Sequence, residues 1–284
     1  MKKPFPWYGG KEQLAPLLVS LLPRHEVYVE VFGGSGAVLF AKESSPLEVF
    51  NDLDSGVVNF FRVLRDPVQA EQLAHLLSLT PYAYEEYHTC LKEWQHTEDS
   101  VEKARMWYCG VVQSMNSSIR ATGWSHTKMP GSNPAKRWQP GVAHLAACVN
   151  RLAQVQIDHR DFEPVFRSYD GLETCFYVDP PYTAETRRKR GCYRHEMSTK
   201  DHERLLCCLL DVQGMVLLSG YDHPLYQEAL HGWECLTYSV SCASTSRAAV
   251  QGEKCPQTKR QECIWRNPAC VRRSYLGTQM TLFT

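Results

Sequence analysis

The stretch Val27-Tyr28-Val29-Glu30-Val31-Phe32-Gly33-Gly34-Ser35-Gly36-Ala37-Val38-Leu39-Phe40-Ala41 decides the fold. Its first six residues are mainly β-branched and aromatic, the composition of a strand, and the glycines that follow at once make a tight turn. Ala37 to Ala41 then reads as a helical opening. A second apolar run, Leu47-Glu48-Val49-Phe50, ends in Asn51-Asp52 and leads into a helical stretch through Leu64. Strand, glycine turn, helix, strand and helix form the beginning of a parallel sheet with helices on its faces. Upstream, Leu14, Leu17, Leu18, Leu21 and Leu22 recur at helical spacing until Pro23 stops the pattern.

From about residue 58 to residue 150 the chain reads as mostly helical, turning polar, glycine-bearing and basic between Ser114 and Pro140. Strand-like runs return at Val155 to Asp158, Cys175 to Asp179 and Met215 to Ser219, with helical material such as Lys200 to Leu210 between them. Tyr238 to Cys242 and Cys263 to Trp265 suggest further strands, antiparallel at an edge. The expected organisation is an α/β catalytic domain made of residues 1–57 and 151–284, interrupted by an inserted, mostly helical domain at 58–150. No internal repeat or low-complexity tract is visible.

With 284 residues, 43% hydrophobic and 22% charged, the composition is that of a globular protein with enough apolar material for a real core. No run approaches the roughly 20 apolar residues of a membrane span, and Met1 to Trp7 lacks a signal-peptide stretch, so a cytoplasmic location is expected. The 12 cysteines include no C-x-x-C pair and read mostly as buried thiols. Cys192, His195 and His202 come nearest to metal-ligand spacing but lack a fourth partner, and no metal is expected.

The formal net charge is zero, which excludes an overall cationic coat. The positive charge is nevertheless segregated. No acidic residue falls between Glu102 and Asp158, whereas Lys103, Arg105, Arg120, Lys128, Lys136, Arg137 and Arg151 do. Arg187-Arg188-Lys189-Arg190 with Arg194 forms a second cluster, and a third runs from Arg247 to Arg273. Three basic segments in a neutral chain suit localised contact with a polyanion.

The glycine turn lets a backbone approach a ligand closely at the carboxyl end of a strand. Asp52, roughly 20 residues further on at the end of the next strand, is placed to accept hydrogen bonds from both hydroxyls of a ribose. Together these features imply a ligand containing adenosine, without separating a dinucleotide from S-adenosylmethionine. The segment Phe176-Tyr177-Val178-Asp179-Pro180-Pro181-Tyr182 narrows the choice. An apolar strand delivers an acid, two prolines and an aromatic ring at its carboxyl end, and the prolines fix the backbone. The carboxylate and the Pro180 carbonyl then supply two acceptors, which is what an exocyclic amine with two N–H donors requires. Holding those hydrogens aims the nitrogen lone pair at an incoming methyl group and stabilises the developing positive charge. Tyr182 suits stacking on a base removed from its neighbours.

The ordered set Pro4-Phe5-Pro6-Trp7-Tyr8-Gly9-Gly10-Lys11, Phe32-Gly33-Gly34-Ser35-Gly36, Asn51-Asp52, Asp161-Phe162 and Asp179-Pro180-Pro181-Tyr182 resembles the Dam-type, D12 class DNA adenine methyltransferases. The resemblance spans nearly the whole chain. It implies a Rossmann-like, seven-stranded methyltransferase sheet with a target-recognition domain inserted. It also implies that the chain moves a methyl group from S-adenosyl-L-methionine to the N6 amine of an adenine flipped out of double-stranded DNA, with no obligate protein partner. Carried over position by position, Trp7, Tyr8 and Lys11 surround the methionine end of the cofactor, with Lys11 pairing its carboxylate. Phe32 and Gly34 line the turn, Asp52 holds the ribose, and Asp161 with Phe162 meets the adenine ring of the cofactor. Asp179, Pro180 and Tyr182 form the target-base site.

In the same reading, Arg187, Arg188, Lys189, Arg190 and Arg194 contact DNA phosphates, and Arg120, Lys128 and Arg137 belong to the recognition domain. Relatives often carry an acid followed by proline before the glycine turn, where this chain has Glu30-Val31. The inserted domain matches the family only loosely, which leaves recognition of GATC and relaxed specificity both open. Two alternatives stand beside adenine methylation: transfer to the N4 amine of cytosine, and a catalytically silent DNA-binding protein on a methyltransferase scaffold. Relatives acting on cytosine usually show serine where Asp179 stands, and protein glutamine methyltransferases start the motif with asparagine, so aspartate favours adenine.

Overall fold

Alternate residues of a strand point to opposite faces of its sheet. The computed structural model describes residues 1–120, 123–182, 195–220, 222–241 and 259–281, and in it those two faces carry two cores. Tyr28, Phe50, Tyr177 and Leu217 face one core, whereas their neighbours Val29, Val49, Phe176 and Val216 face the other.

Seven strands build the sheet: β1 (Val27–Glu30), β2 (Leu47–Asn51), β3 (Val155–Asp158), β4 (Thr174–Val178), β5 (Met215–Gly220), β6 (Glu234–Ser241) and β7 (Lys259–Arg266). Their order is β3-β2-β1-β4-β5-β7-β6. The first five are parallel, with Val29 opposite Val49 on one side and Phe176 on the other. The pairings of β7 with β5 and β6 are antiparallel, as the sequence leads one to expect at this edge. The strand order reverses between β1 and β4, the switch point at which α/β sheets bind ligands.

The first face is covered by α1 (Ala15–Leu21), α2 (Ala37–Ala41), α3 (Ser55–Arg65), α4 (Pro67–Leu79), α5 (Tyr84–Glu93), α6 (Ser100–Val112) and α7 (Trp138–Leu152). The second is covered by α8 (Phe162–Tyr169), α9 (Thr199–Asp211) and α10 (Pro224–Ala229), and α11 (Pro268–Thr281) follows β7. Side chains set the helix starts. Asp54 caps α3 through the Gly56 and Val57 amides, Asp66 caps α4 ahead of Pro67, and Ser198 with Asp201 forms a reciprocal capping box on α9.

Residues 58–150 are mostly helical, and their helices share one core with the sheet. Phe61 packs 4.4 Å from Phe50 of β2, Phe60 stacks on Tyr108 at 5.5 Å, and Trp107 lies 4.9 Å from Phe5. The expected boundary between residues 57 and 58 falls inside α3. Between α6 and α7 the chain is held by short contacts, such as Ser125 N–H to the Gln113 carbonyl at 2.7 Å and Met115 N–H to the Gly123 carbonyl at 2.9 Å.

Gly33 is fixed by its neighbours, since a Cβ there would lie 2.2 Å from the buried Phe50 ring, itself wedged against Phe61. Gly33→Ala is therefore expected to destabilise the fold by about 1–3 kcal/mol, the usual cost of overpacking. Thermal denaturation checks it, and an unchanged melting temperature would contradict this packing.

Candidate active site at the carboxyl ends of the strands

The turn after β1 is held open by Asn51. Its side-chain amide donates to the Val31 carbonyl at 2.9 Å and the Arg160 carbonyl at 3.1 Å, and its carbonyl oxygen accepts the Arg160 amide at 3.0 Å. The Gly33 amide donates to the Asn51 carbonyl at 2.8 Å. One buried side chain thus ties together the ends of β1, β2 and β3. Above them lies a solvent-open cleft of about 200 Å³. All eight residues expected to hold the cofactor, namely Trp7, Tyr8, Lys11, Phe32, Gly34, Asp52, Asp161 and Phe162, line this cleft together with Asp179.

The two ends of the cleft differ in chemistry. At one end Phe32 meets Phe162 at 5.9 Å, and the Arg204 guanidinium lies 4.9 Å over the Phe162 ring. Asp161 caps α8 through the Glu163 amide at 3.2 Å and accepts from Arg204 at 3.1 Å. In the middle, Asp52 Oδ2 accepts the Gly34 amide and Oδ1 the Asp54 amide, both at 2.7 Å. Burial, aided by the charge of Asp54, raises the Asp52 carboxyl to about 6. Gly34 has φ +51°, and a Cβ there would come within 2.9 Å of the Trp7 indole. A side chain would fill the cradle between the turn and that ring. The set fits an adenosine-type cofactor: a flat apolar end, a fixed carboxylate with lone pairs left for hydroxyls, and a bare backbone beside an aromatic wall.

At the other end Asp179 leaves β4 half-buried. Its Oδ1 takes Lys11 Nζ at 2.9 Å, Ser219 Oγ at 2.9 Å and the Tyr182 hydroxyl at 3.3 Å. No donor among the described residues reaches Oδ2. Lys11, expected at the carboxylate of the cofactor, is 7% exposed and also pairs with Glu262 at 2.9 Å and with the Tyr182 hydroxyl. An ammonium has three hydrogens, and Asp179, Glu262 and the Tyr182 hydroxyl all lie within reach of this one. Burial raises the pKa of Asp179, with Lys11 opposing and Glu262 adding to the rise. Of the target-base residues, Asp179 lines the cleft, as does Pro181, while Pro180 is buried beside it.

Sequence reasoning passed over Glu262, Ser219 and the tie made by Asn51. An acid directly before the apolar run Cys263-Ile264-Trp265 was the available signal for Glu262, which is 5% exposed. Arg120, Lys128 and Arg137 are exposed. Lys128 borders a second cavity walled by Tyr82 and Trp124, where Trp124 stacks on His126 at 5.7 Å. Arg187, Arg188, Lys189, Arg190 and Arg194 lie outside the described residues, as does Cys192 of the cysteine–histidine group. His202 of that group is buried, with Nδ1 2.7 Å from the Tyr226 hydroxyl.

Sheet order and cleft define a Rossmann-like methyltransferase fold. Residues 7–238 match the family described as D12 class N6 adenine-specific DNA methyltransferase. The chain is also 31% identical over 269 residues to the type II methyltransferase M1.LlaDCHI of Lactococcus lactis subsp. cremoris, a match that covers 87% of this chain and 90% of that protein. The chain therefore belongs to the D12 class DNA methyltransferases. It is an enzyme that acts on DNA with a methyl donor of the S-adenosylmethionine type. Among the described residues no helix is long and apolar enough to cross a membrane.

Glu30, the acid before the glycine turn, is buried under the cleft and accepts from the Leu39 amide at 2.9 Å and the Tyr28 hydroxyl at 3.0 Å. Burial raises its carboxyl from 4.5 to about 8. A folded pKa above the unfolded one means that folding takes up a proton, so the contribution of this group is full below pH 4.5 and is lost as pH rises through about 8. Glu30→Gln should flatten that decline. Relative to the wild type, its melting temperature should rise between about pH 4.5 and about pH 8, and parallel pH profiles for the two proteins would contradict the assignment.

Proposed function

We propose that the enzyme transfers a methyl group from S-adenosyl-L-methionine to the N6 amine of an adenine extruded from duplex DNA. The observation that carries this reading is the Asp179 carboxylate: Lys11 and Ser219 donate to Oδ1, with the Tyr182 hydroxyl 3.3 Å from it, and no donor among the described residues reaches Oδ2. Oδ2 is left to accept one hydrogen of the amine, and the Pro180 carbonyl accepts the other. With both hydrogens held, the nitrogen lone pair points across the cleft, and the negative charge of Asp179 stabilises the cation that develops on the amine. Tyr182 grips the face of the base.

Bound in the cleft, S-adenosylmethionine supplies an electrophilic methyl group on a sulfonium. Asp52 holds its ribose hydroxyls, Phe32, Phe162 and Asp161 receive its adenine ring, and Trp7, Tyr8 and Gly34 enclose its methionine end. Lys11 stands at that same end and joins it to the target-base cluster through Asp179. Arg120, Lys128 and Arg137 contact DNA from the segment between α6 and α7 and the start of α7, and the basic run Arg187 to Arg194 contacts phosphates. Residues 58–150 serve as the target-recognition part of the molecule. The Lactococcus relative is named a type II methyltransferase, which supports a role in protecting DNA within a restriction-modification pair. A cytoplasmic location and action without an obligate protein partner belong to the same reading. Methylation at N4 of cytosine is the second reading, because that amine presents the same two hydrogens to the same acceptors.

Two substitutions separate the halves of the cleft. Asp179→Ala should abolish transfer of labelled methyl groups to DNA while leaving cofactor affinity within about threefold of wild type, an equilibrium-binding difference below roughly 0.7 kcal/mol. Retained transfer would overturn the mechanism. Asp52→Asn should do the reverse, weakening cofactor binding about tenfold or more, and unchanged binding would remove Asp52 from the ribose site.

A further inference from the structure

Glu262 sits on β7, an antiparallel strand beyond the five parallel ones, and none of the motifs includes it. On that strand Ile264 faces the same side of the sheet and joins the core under α3–α7, whereas Cys263 and Trp265 face the other core. A carboxylate at such a position must be paired, because an uncompensated buried charge is strongly destabilising. Glu262 is paired twice: its Oε1 accepts Lys11 Nζ at 2.9 Å and the Tyr182 hydroxyl. Both partners also contact Asp179 Oδ1, Lys11 at 2.9 Å and Tyr182 at 3.3 Å. One ammonium and one phenol therefore bridge two carboxylates, only one of which belongs to the Asp-Pro-Pro-Tyr motif.

We propose that Glu262 is a positioning residue for methyl transfer, a second acid that holds Lys11 and Tyr182 in place and shares the charge of Lys11, so that Asp179 keeps its capacity to bind the target amine. The inference rests on the target-amine reading given above. Paired with Lys11 alone, Asp179 would form a neutral couple with little charge left for the amine. With Glu262 included, the cluster of Lys11, Asp179 and Glu262 carries one net negative charge, facing the point where the amine becomes cationic. The same contacts fix Tyr182, the ring expected to stack on the base, through its hydroxyl.

Glu262 therefore affects the rate of transfer more than the binding of DNA or cofactor. The groups facing Asp179 are Lys11 from the amino-terminal segment, Tyr182, Ser219 at the end of β5, Glu262 on β7, Glu30 on β1 and Tyr177 on β4. Of these, Glu262 is an acid that raises the pKa of Asp179, so neutralising it lowers that pKa.

The test compares wild type, Glu262→Gln and Glu262→Asp in single-turnover methylation across pH, in binding of DNA and S-adenosylmethionine, and in carbon-13 NMR titration of the Asp179 carboxyl. For Glu262→Gln the single-turnover rate should fall roughly tenfold to a hundredfold, less than the loss from removing a direct electrostatic contact to the reacting group. Both dissociation constants should stay within about threefold. The acid limb of the rate profile and the Asp179 titration should both move to lower pH, and Glu262→Asp should restore part of the rate and both pH values. A Glu262→Gln protein with wild-type rate and unmoved Asp179 titration overturns the inference, as does equal loss in Glu262→Asp and Glu262→Gln. Wild-type protein that methylates no base overturns the reading beneath it instead, and the NMR titration then still decides whether Glu262 controls Asp179.

Discussion

A parallel sheet has to be covered on both faces, because its strands carry apolar side chains up and down alike. In this chain α1–α7 cover one face and α8–α10 the other, which leaves the ends of the strands for ligands. At the carboxyl ends, where the order reverses between β1 and β4, the chain places its glycine turn, Asp52 and Asp179. The site is thus a consequence of how the sheet is buried. Asn51 makes the arrangement rigid by satisfying backbone groups of two other segments with one amide. Loss of that tie would leave buried carbonyl and amide groups without partners.

The second constraint is electrostatic. Glu30, Asp179 and Glu262 lie close enough to influence one another in a partly dry environment, and Lys11 is the cation paired with two of them. The protein accommodates the excess negative charge in two ways. Glu30 rises to about 8 and stays largely protonated near neutrality, whereas Asp179 and Glu262 are bridged by Lys11 and Tyr182. The charge that remains is concentrated where a methylated amine would become positive.

Much of this was legible in the sequence, for physical reasons that differ by element. β1, β2, β4 and β5 read clearly because strands buried on both faces are nearly continuous apolar runs. The edge was read short: the expected 238–242 and 263–265 became Glu234–Ser241 and Lys259–Arg266. Exposed positions alternate along β6, and polar residues such as Thr237 and Ser239 hide the strand from a search for apolar runs. The cleft was legible because its parts are contiguous motifs. The partnership of Lys11 with Glu262 was not, since it joins opposite ends of the chain and exists only after β7 inserts beside β5. Likewise, the shared core of Phe60, Trp107 and Phe5 could not be read from a composition shift near residue 58, because polarity along the chain does not record which layer a helix joins.

We propose that this cleft methylates the exocyclic amine of adenine. Plasmid DNA incubated with the pure protein and S-adenosylmethionine, hydrolysed to nucleosides and analysed by mass spectrometry, tests it most directly. N6-methyladenine is the expected new nucleoside, absent when the cofactor is omitted. N4-methylcytosine in its place, or no methylated nucleoside at all, would contradict the proposal.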